Sequence, residues 1–247
     1  MTNLETIGWY ASHPVPPLFV QTLGKIPSFK SLILDRFGVE SLPHILPLAG
    51  QLTKVSIKTD REAPAPKSAI ELAPVLVGAS RRSHLPWNQR DVAKVEEQRE
   101  AFFRDLAPFL LRAREQIEEL AIVGGGLCEK GEPYKWLERL FDAMVDDNRQ
   151  YPTFPRLERL WLRRCNSKTL ALKHLLKTTA AHLRTLEICA QDTVEVPPSP
   201  SPLRALKELC YFMQDRVRCV DFVNAVTQHS PLQMCVNPKA AHREGTF

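Results

Sequence analysis

Three glycines in a row, Gly124-Gly125-Gly126, follow an apolar run that reads as a strand, a position from which backbone N–H groups could cradle a phosphate. The dinucleotide fingerprint needs another glycine where Glu129 stands, and the P-loop needs Gly-Lys-Ser/Thr, so both patterns fail and the stretch reads as a turn. The histidines (His13, His44, His84, His174, His182, His229 and His242) form no His-x-x-x-His pair, and there is no Gly-x-Ser-x-Gly elbow. His174 and His182 read as surface residues on a helix and near its exit. The cysteines (Cys128, Cys165, Cys189, Cys210, Cys219 and Cys235) contain no C-x-x-C, which argues against a zinc site built on local spacing. Cys165, Cys189 and Cys210 fall near expected strand ends and read as small buried side chains. The sharper chemistry there would be a thiolate favoured by Arg163 and Arg164. No catalytic residue, metal or cofactor is assigned.

Charge carries more information. Between residues 156 and 184 stand Arg156, Arg159, Arg163, Arg164, Lys168, Lys173, Lys177 and Arg184 against Glu158 alone, a net +7 where the whole chain is +5. A charge run of this kind is most simply a solvated face. The functional alternative is an acidic partner or a phosphate backbone, because guanidinium groups bind both in bidentate fashion.

The elements that would position these residues follow from a recurring pattern, apolar-x-x-apolar-x-apolar. It reads Leu4/Ile7/Trp9, Phe29/Leu32/Leu34, Leu52/Val55/Ile57, Ile117/Leu120/Ile122, Leu157/Leu160/Leu162, Leu183/Leu186/Ile188 and, more weakly, Leu206/Leu209/Tyr211. The starts lie 25, 23, 65, 40, 26 and 23 residues apart, as in a repeat with two insertions. An apolar pair at helical spacing precedes the pattern in several copies, as in Leu175-Leu176 before Leu183, with Asn166-Ser167 offering an N-cap. Leu137, Leu140, Phe141, Met144 and Val145 form another helical apolar face, and Val217 to Val226 predicts a last helix. Each unit is thus a helix, a turn and a strand, and only stacking of units buries its apolar face. Pro108 predicts a kink or restart in a helix running through residues 91–104 and beyond.

Leu157-x-x-Leu160-x-Leu162-x-x-Cys165 matches the consensus of the leucine-rich repeat family, which the chain therefore resembles. The other copies depart from the Asn/Cys position with Phe37, Asp60, Gly125 and Gln191. More narrowly, Phe154 to Cys165 is similar to the degenerate repeats of fungal F-box-type proteins, although no F-box is recognisable here. The resemblance implies an α/β solenoid, with a parallel β-sheet on one face and helices on the other. It also implies a role in capturing substrates for ubiquitination.

Strand alternation assigns Ile33, Asp35, Ser56, Lys58, Ala121, Val123, Trp161, Arg163 and Glu187 to the sheet face away from the helices. Of these, Asp35, Lys58, Trp161, Arg163 and Glu187 are the candidate partner-binding residues, since Trp and Arg dominate binding hot spots. The 247 residues are expected to form one domain over 1–230, with insertions at about 60–104 and 191–202 and a tail at 231–247. A short strand at Val75–Val77 is expected inside the first insertion. No signal peptide or membrane span is recognisable, so a cytoplasmic or nuclear protein with reduced thiols is expected. The leading reading is a non-enzymatic scaffold for an unidentified protein partner, joined by a ubiquitin-ligase adaptor if an F-box lies elsewhere. Nucleic-acid or acidic-partner binding through 156–184 ranks second and an enzyme of unknown class third.

Overall fold

Each copy of the apolar pattern folds as a short strand that begins two residues after the first apolar position. In the computed structural model the strands are β1 (Thr6–Trp9), β2 (Ser31–Asp35), β3 (Lys54–Lys58), β4 (Glu119–Val123), β5 (Arg159–Arg163), β6 (Thr185–Cys189) and β7 (Glu208–Phe212). An eighth, β8 (Met234–Val236), lies in the stretch expected to be tail. The structure describes residues 3–10, 15–35, 41–58, 89–123, 136–146, 149–163, 170–189, 203–212 and 216–236. Gly124–Gly126, the Val75–Val77 strand, Arg164, Cys165 and the Asn166–Ser167 cap lie outside them.

The strands form one eight-stranded sheet, all parallel and in chain order. Register is uniform: Leu32, Val55, Leu120, Leu160, Leu186 and Leu209 make one buried rung, and Leu34, Ile57, Ile122, Leu162 and Ile188 make another. The first apolar residue of each pattern from Phe29 onward (Phe29, Leu52, Ile117, Leu157, Leu183 and Leu206) packs below the strand start, fully buried. A recurring backbone step ties neighbours together there. Lys30 and Ser31 both donate to the Glu5 carbonyl, Glu118 and Glu119 to Thr53, Glu158 and Arg159 to Glu118, and Arg184 and Thr185 to Glu158, at 2.7–3.0 Å.

The helices are α1 (Pro17–Gly24), α2 (Leu42–Ile45, continued by a 3-10 turn to Gln51), α3 (Gln89–Ala113), α4 (Trp136–Ala143), α5 (Leu170–Thr179) and α6 (Arg216–Thr227). Those up to α5 pack in chain order: α1 on the 3-10 turn, the turn on α3, α3 on α4, α4 on α5. Their apolar stripes supply Leu106, Phe109, Leu110, Leu137, Leu140, Phe141, Leu172, Leu175 and Leu176 to a single core against the buried sheet face. Pro108 does not restart α3; it sits on the exposed side of one continuous helix, where its missing N–H deprives no core contact. In α6, Phe222 and Val226 are buried, while Val220 is 56% exposed.

Candidate binding surface

Because the buried rungs alternate with the rest, every other strand residue emerges on the opposite face of the sheet. That open face has three rungs. The first runs Ser31, Lys54, Glu119, Arg159, Thr185, Glu208; the second Gly8, Ile33, Ser56, Ala121, Trp161, Glu187, Cys210; the third Asp35, Lys58, Val123, Arg163. All nine residues assigned to this face from the sequence stand on it. Cys210, expected in the core, stands here too, half-buried beside Glu187, because its position is one past the apolar Leu209.

The rungs are laced by charge pairs between neighbouring strands. The Glu119 carboxylate accepts from Lys54 Nζ at 2.9 Å and from Arg159 Nη1 at 2.6 Å. Lys58 lies 3.8 Å from Asp35, Arg163 pairs with Glu187, and Thr185 Oγ1 donates to Glu208 at 3.1 Å. Just ahead of the strands, Arg184 Nη1 meets Glu158 at 3.2 Å. The structure therefore gathers the candidate residues as two ion pairs, Asp35–Lys58 and Arg163–Glu187, with Trp161 two residues before Arg163 on the same face, about 7 Å along the strand. Val123 separates Lys58 from Arg163.

Trp161 is half-buried between Ala121 on β4 and Glu187 on β6. Beside it lies an open depression of about 400 Å³, lined by Arg159, Trp161, Arg184, Thr185, Lys207 and Glu208. Within the described residues the Trp161 and Lys207 side chains make no hydrogen bond or ion pair. The sequence reading named Arg159 only within the basic stretch 156–184 and did not single out Lys207 or Glu208. The parity that selected Trp161 also selects Arg159 and Glu208, two residues earlier on the same face.

The opposite side of the molecule holds a different group. Tyr151 donates to Asp142 Oδ1 at 3.2 Å, and its ring meets the His174 imidazole edge-on at 5.7 Å. His174 is thus half-buried under the 149–155 turn rather than on the surface, and its Nε2 is buried with no hydrogen-bond partner among the described residues. Burial pushes its pKa below the ordinary histidine value and the Lys177 charge adds to this, against the backbone carbonyls of Pro152 and Tyr151. Burial and then the Asp142 charge raise Tyr151. His182, also half-buried, places Nε2 3.4 Å from the Phe154 carbonyl.

Among the described residues, no group of His, Cys, Asp or Glu side chains could hold a metal ion, and no helix is long and apolar enough to cross a membrane. Comparison with protein-family models, with curated proteins and with solved structures finds no match.

Proposed function

We propose that the chain is a leucine-rich-repeat-like solenoid that works as a non-enzymatic scaffold and docks a protein partner on the open face of its sheet. The observation that carries this is Trp161: a half-covered indole with an uncommitted N–H, set in an ordered polar ladder. Parallel sheets are ordinarily covered on both faces, whereas the helices among the described residues pack on one face of this one. A partner seated there would cover the indole and desolvate the neighbouring Arg163–Glu187 pair, the composition of a hot spot. The resemblance to F-box-type proteins extends the proposal to capture of a degradation substrate.

The nucleic-acid reading has the basic stretch 156–184 in its favour. Its cations, however, divide between the open face (Arg159, Arg163) and α5 (Lys173, Lys177), which packs on the buried side, and three of them are engaged with Glu119, Glu187 and Glu158.

The test is affinity capture from cells followed by mass spectrometry. Arg163→Glu and Trp161→Ala are expected to abolish capture of the partner with the fold intact, while Lys173→Glu and Lys177→Glu leave it unchanged. An adaptor subunit in the catch supports the ubiquitin role. Loss of nucleic acid through the two α5 changes would replace the scaffold reading with the second one, and the complex would then weaken steeply with salt.

A further inference from the structure

The two edges of the sheet differ from its interior. The core-facing strand residues of the middle units, such as Leu32, Leu34, Leu120, Leu160 and Leu186, are 3% exposed or less. Leu4, Ile7 and Trp9 of the first unit are only half-buried, and so is Leu232 just ahead of β8. Five large apolar side chains are exposed among the described residues, and four of them belong to the first and last units: Tyr10 after β1, Leu18 and Phe19 on α1, and Val220 on α6. The Phe19 ring meets Trp9 with centroids 5.9 Å apart, which joins α1 and β1 into one apolar surface. Stacked-unit proteins ordinarily close their ends with a polar outer face, and edge strands are ordinarily blunted by charge or Pro. Neither Thr6–Trp9 nor Met234–Val236 contains a charged residue or a Pro.

The backbone of the two edges is complementary. At each strand entrance, N–H groups donate back to a carbonyl of the preceding unit: Lys30 and Ser31 to Glu5, Thr53 and Lys54 to Lys30, Lys207 and Glu208 to Arg184, and Gln233 to Lys207. Thr6 stands in register with Ser31, so the N–H groups of Glu5 and Thr6 are the corresponding donors of the first unit and face away from β2. They meet no acceptor among the described residues. At the other edge Gln233 follows Lys207 in the same series, and its carbonyl faces away from β7 with no donor among the described residues. One edge thus presents the two donors of the step and the other presents its acceptor.

We propose that copies of this chain associate head to tail, β8 of one beside β1 of the next, so that the parallel sheet runs on from copy to copy. The Gln233 carbonyl then accepts from Glu5 and Thr6 of the next copy, and Leu232 comes opposite Leu4. The α6 end, with Val220, is brought to the α1 end, with Leu18 and Phe19. No like charges oppose each other at the step, because Gln233 meets Glu5. A symmetric β1–β1 pair would be antiparallel and would leave the β8 edge bare, whereas the head-to-tail contact satisfies both. Such a contact is heterologous, so it repeats into a ring or a filament. The open face of the sheet takes no part in it and stays available for docking.

The test is sedimentation velocity of the full chain over a concentration series. The mass is expected to climb through two and then more multiples of 28.1 kDa. Leu18→Glu at one end and Val220→Glu at the other should each raise the concentration needed for association by about tenfold or more, since each puts a charge into the contact. Both side chains are exposed, so melting curves in dilute solution should match the parent chain. Thr6→Pro removes one edge donor at a position where an edge strand tolerates Pro, and should weaken association in the same way. The decisive sample is an equimolar mixture of the Leu18→Glu and Val220→Glu chains. Each keeps one intact end, so the mixture should form a dimer and stop there. A parent chain that stays monomeric at every concentration, or one that stops at a dimer, would overturn the proposal. So would association indifferent to Val220→Glu or to Thr6→Pro, or a mixture that forms no dimer.

Discussion

Leu160 and Trp161 are chain neighbours that the strand sends to opposite faces, and their substitutions should separate accordingly. Leu160 is 0% exposed in the centre of the core, so Leu160→Ala is expected to cost about 2–5 kcal/mol through the cavity it leaves. Trp161→Ala should cost clearly less, and denaturant unfolding of both variants measures the difference. Equal losses would place Trp161 in the core. His174 supplies a pH dependence. Its folded pKa lies below the unfolded value of about 6.5, so as pH falls through that value the unfolded chain takes up the proton first and stability is lost toward the lower folded pKa. His174→Phe, which keeps a ring against Tyr151, should flatten that part of the stability profile measured by thermal melts. This burial was not legible in the sequence, because it is created by the Tyr151–Phe154 turn folding over α5. The open-face set was legible from parity alone. Cys210 was misplaced because proximity to a strand end was weighed above its alternation with Leu209.

At the scale of the element, the ion pairs act across strands rather than along them. Glu119 sits between Lys54 and Arg159, and Glu119→Gln should cost about 1 kcal/mol or less, since all three side chains are at least partly solvated. Glu119→Lys, which lines up three cations on one rung, should cost more. Chemical denaturation at low and high salt is expected to show the second penalty shrinking with salt. Pro108 is a different case. It interrupts the hydrogen bonding of α3 from an exposed position, so Pro108→Ala should raise the melting temperature, with a gain of up to about 3 kcal/mol. The strands carrying the apolar pattern could be read from sequence because every copy presents two alternating core residues to the same core. Strand β8 could not: three residues carry too little alternation, and what fixes them is the edge that β7 would otherwise expose.

Across the whole molecule, each strand pairs only with its neighbours in chain order, so stability is close to a sum over adjacent interfaces. The ends have one such interface and the middle strands two. Hydrogen exchange followed by mass spectrometry should therefore find the slowest amides in β3 to β6 and the fastest in β1 and β8. Uniform protection along the sheet would contradict this. Strand order and direction were legible in the recurrence itself, since a repeated helix–turn–strand unit with one apolar face can only stack in parallel. The open side of the sheet was legible only as a face. The ion pairs that lace that face join residues 23 to 65 positions apart, and no local pattern announces those.

The backbone step at the strand entrances is made with the same geometry whether neighbouring strands begin 23 residues apart, as β2 and β3 do, or 65 apart, as β3 and β4 do. Treated as flexible chain, closing the longer span costs only about 1 kcal/mol more, because the entropy of closure grows with the logarithm of length. The penalty for distance then falls on time rather than on equilibrium. Contacts far apart in sequence are found late, so the seam between β3 and β4 should be the last to close when the chain refolds, after the segments on either side have each assembled their own strands.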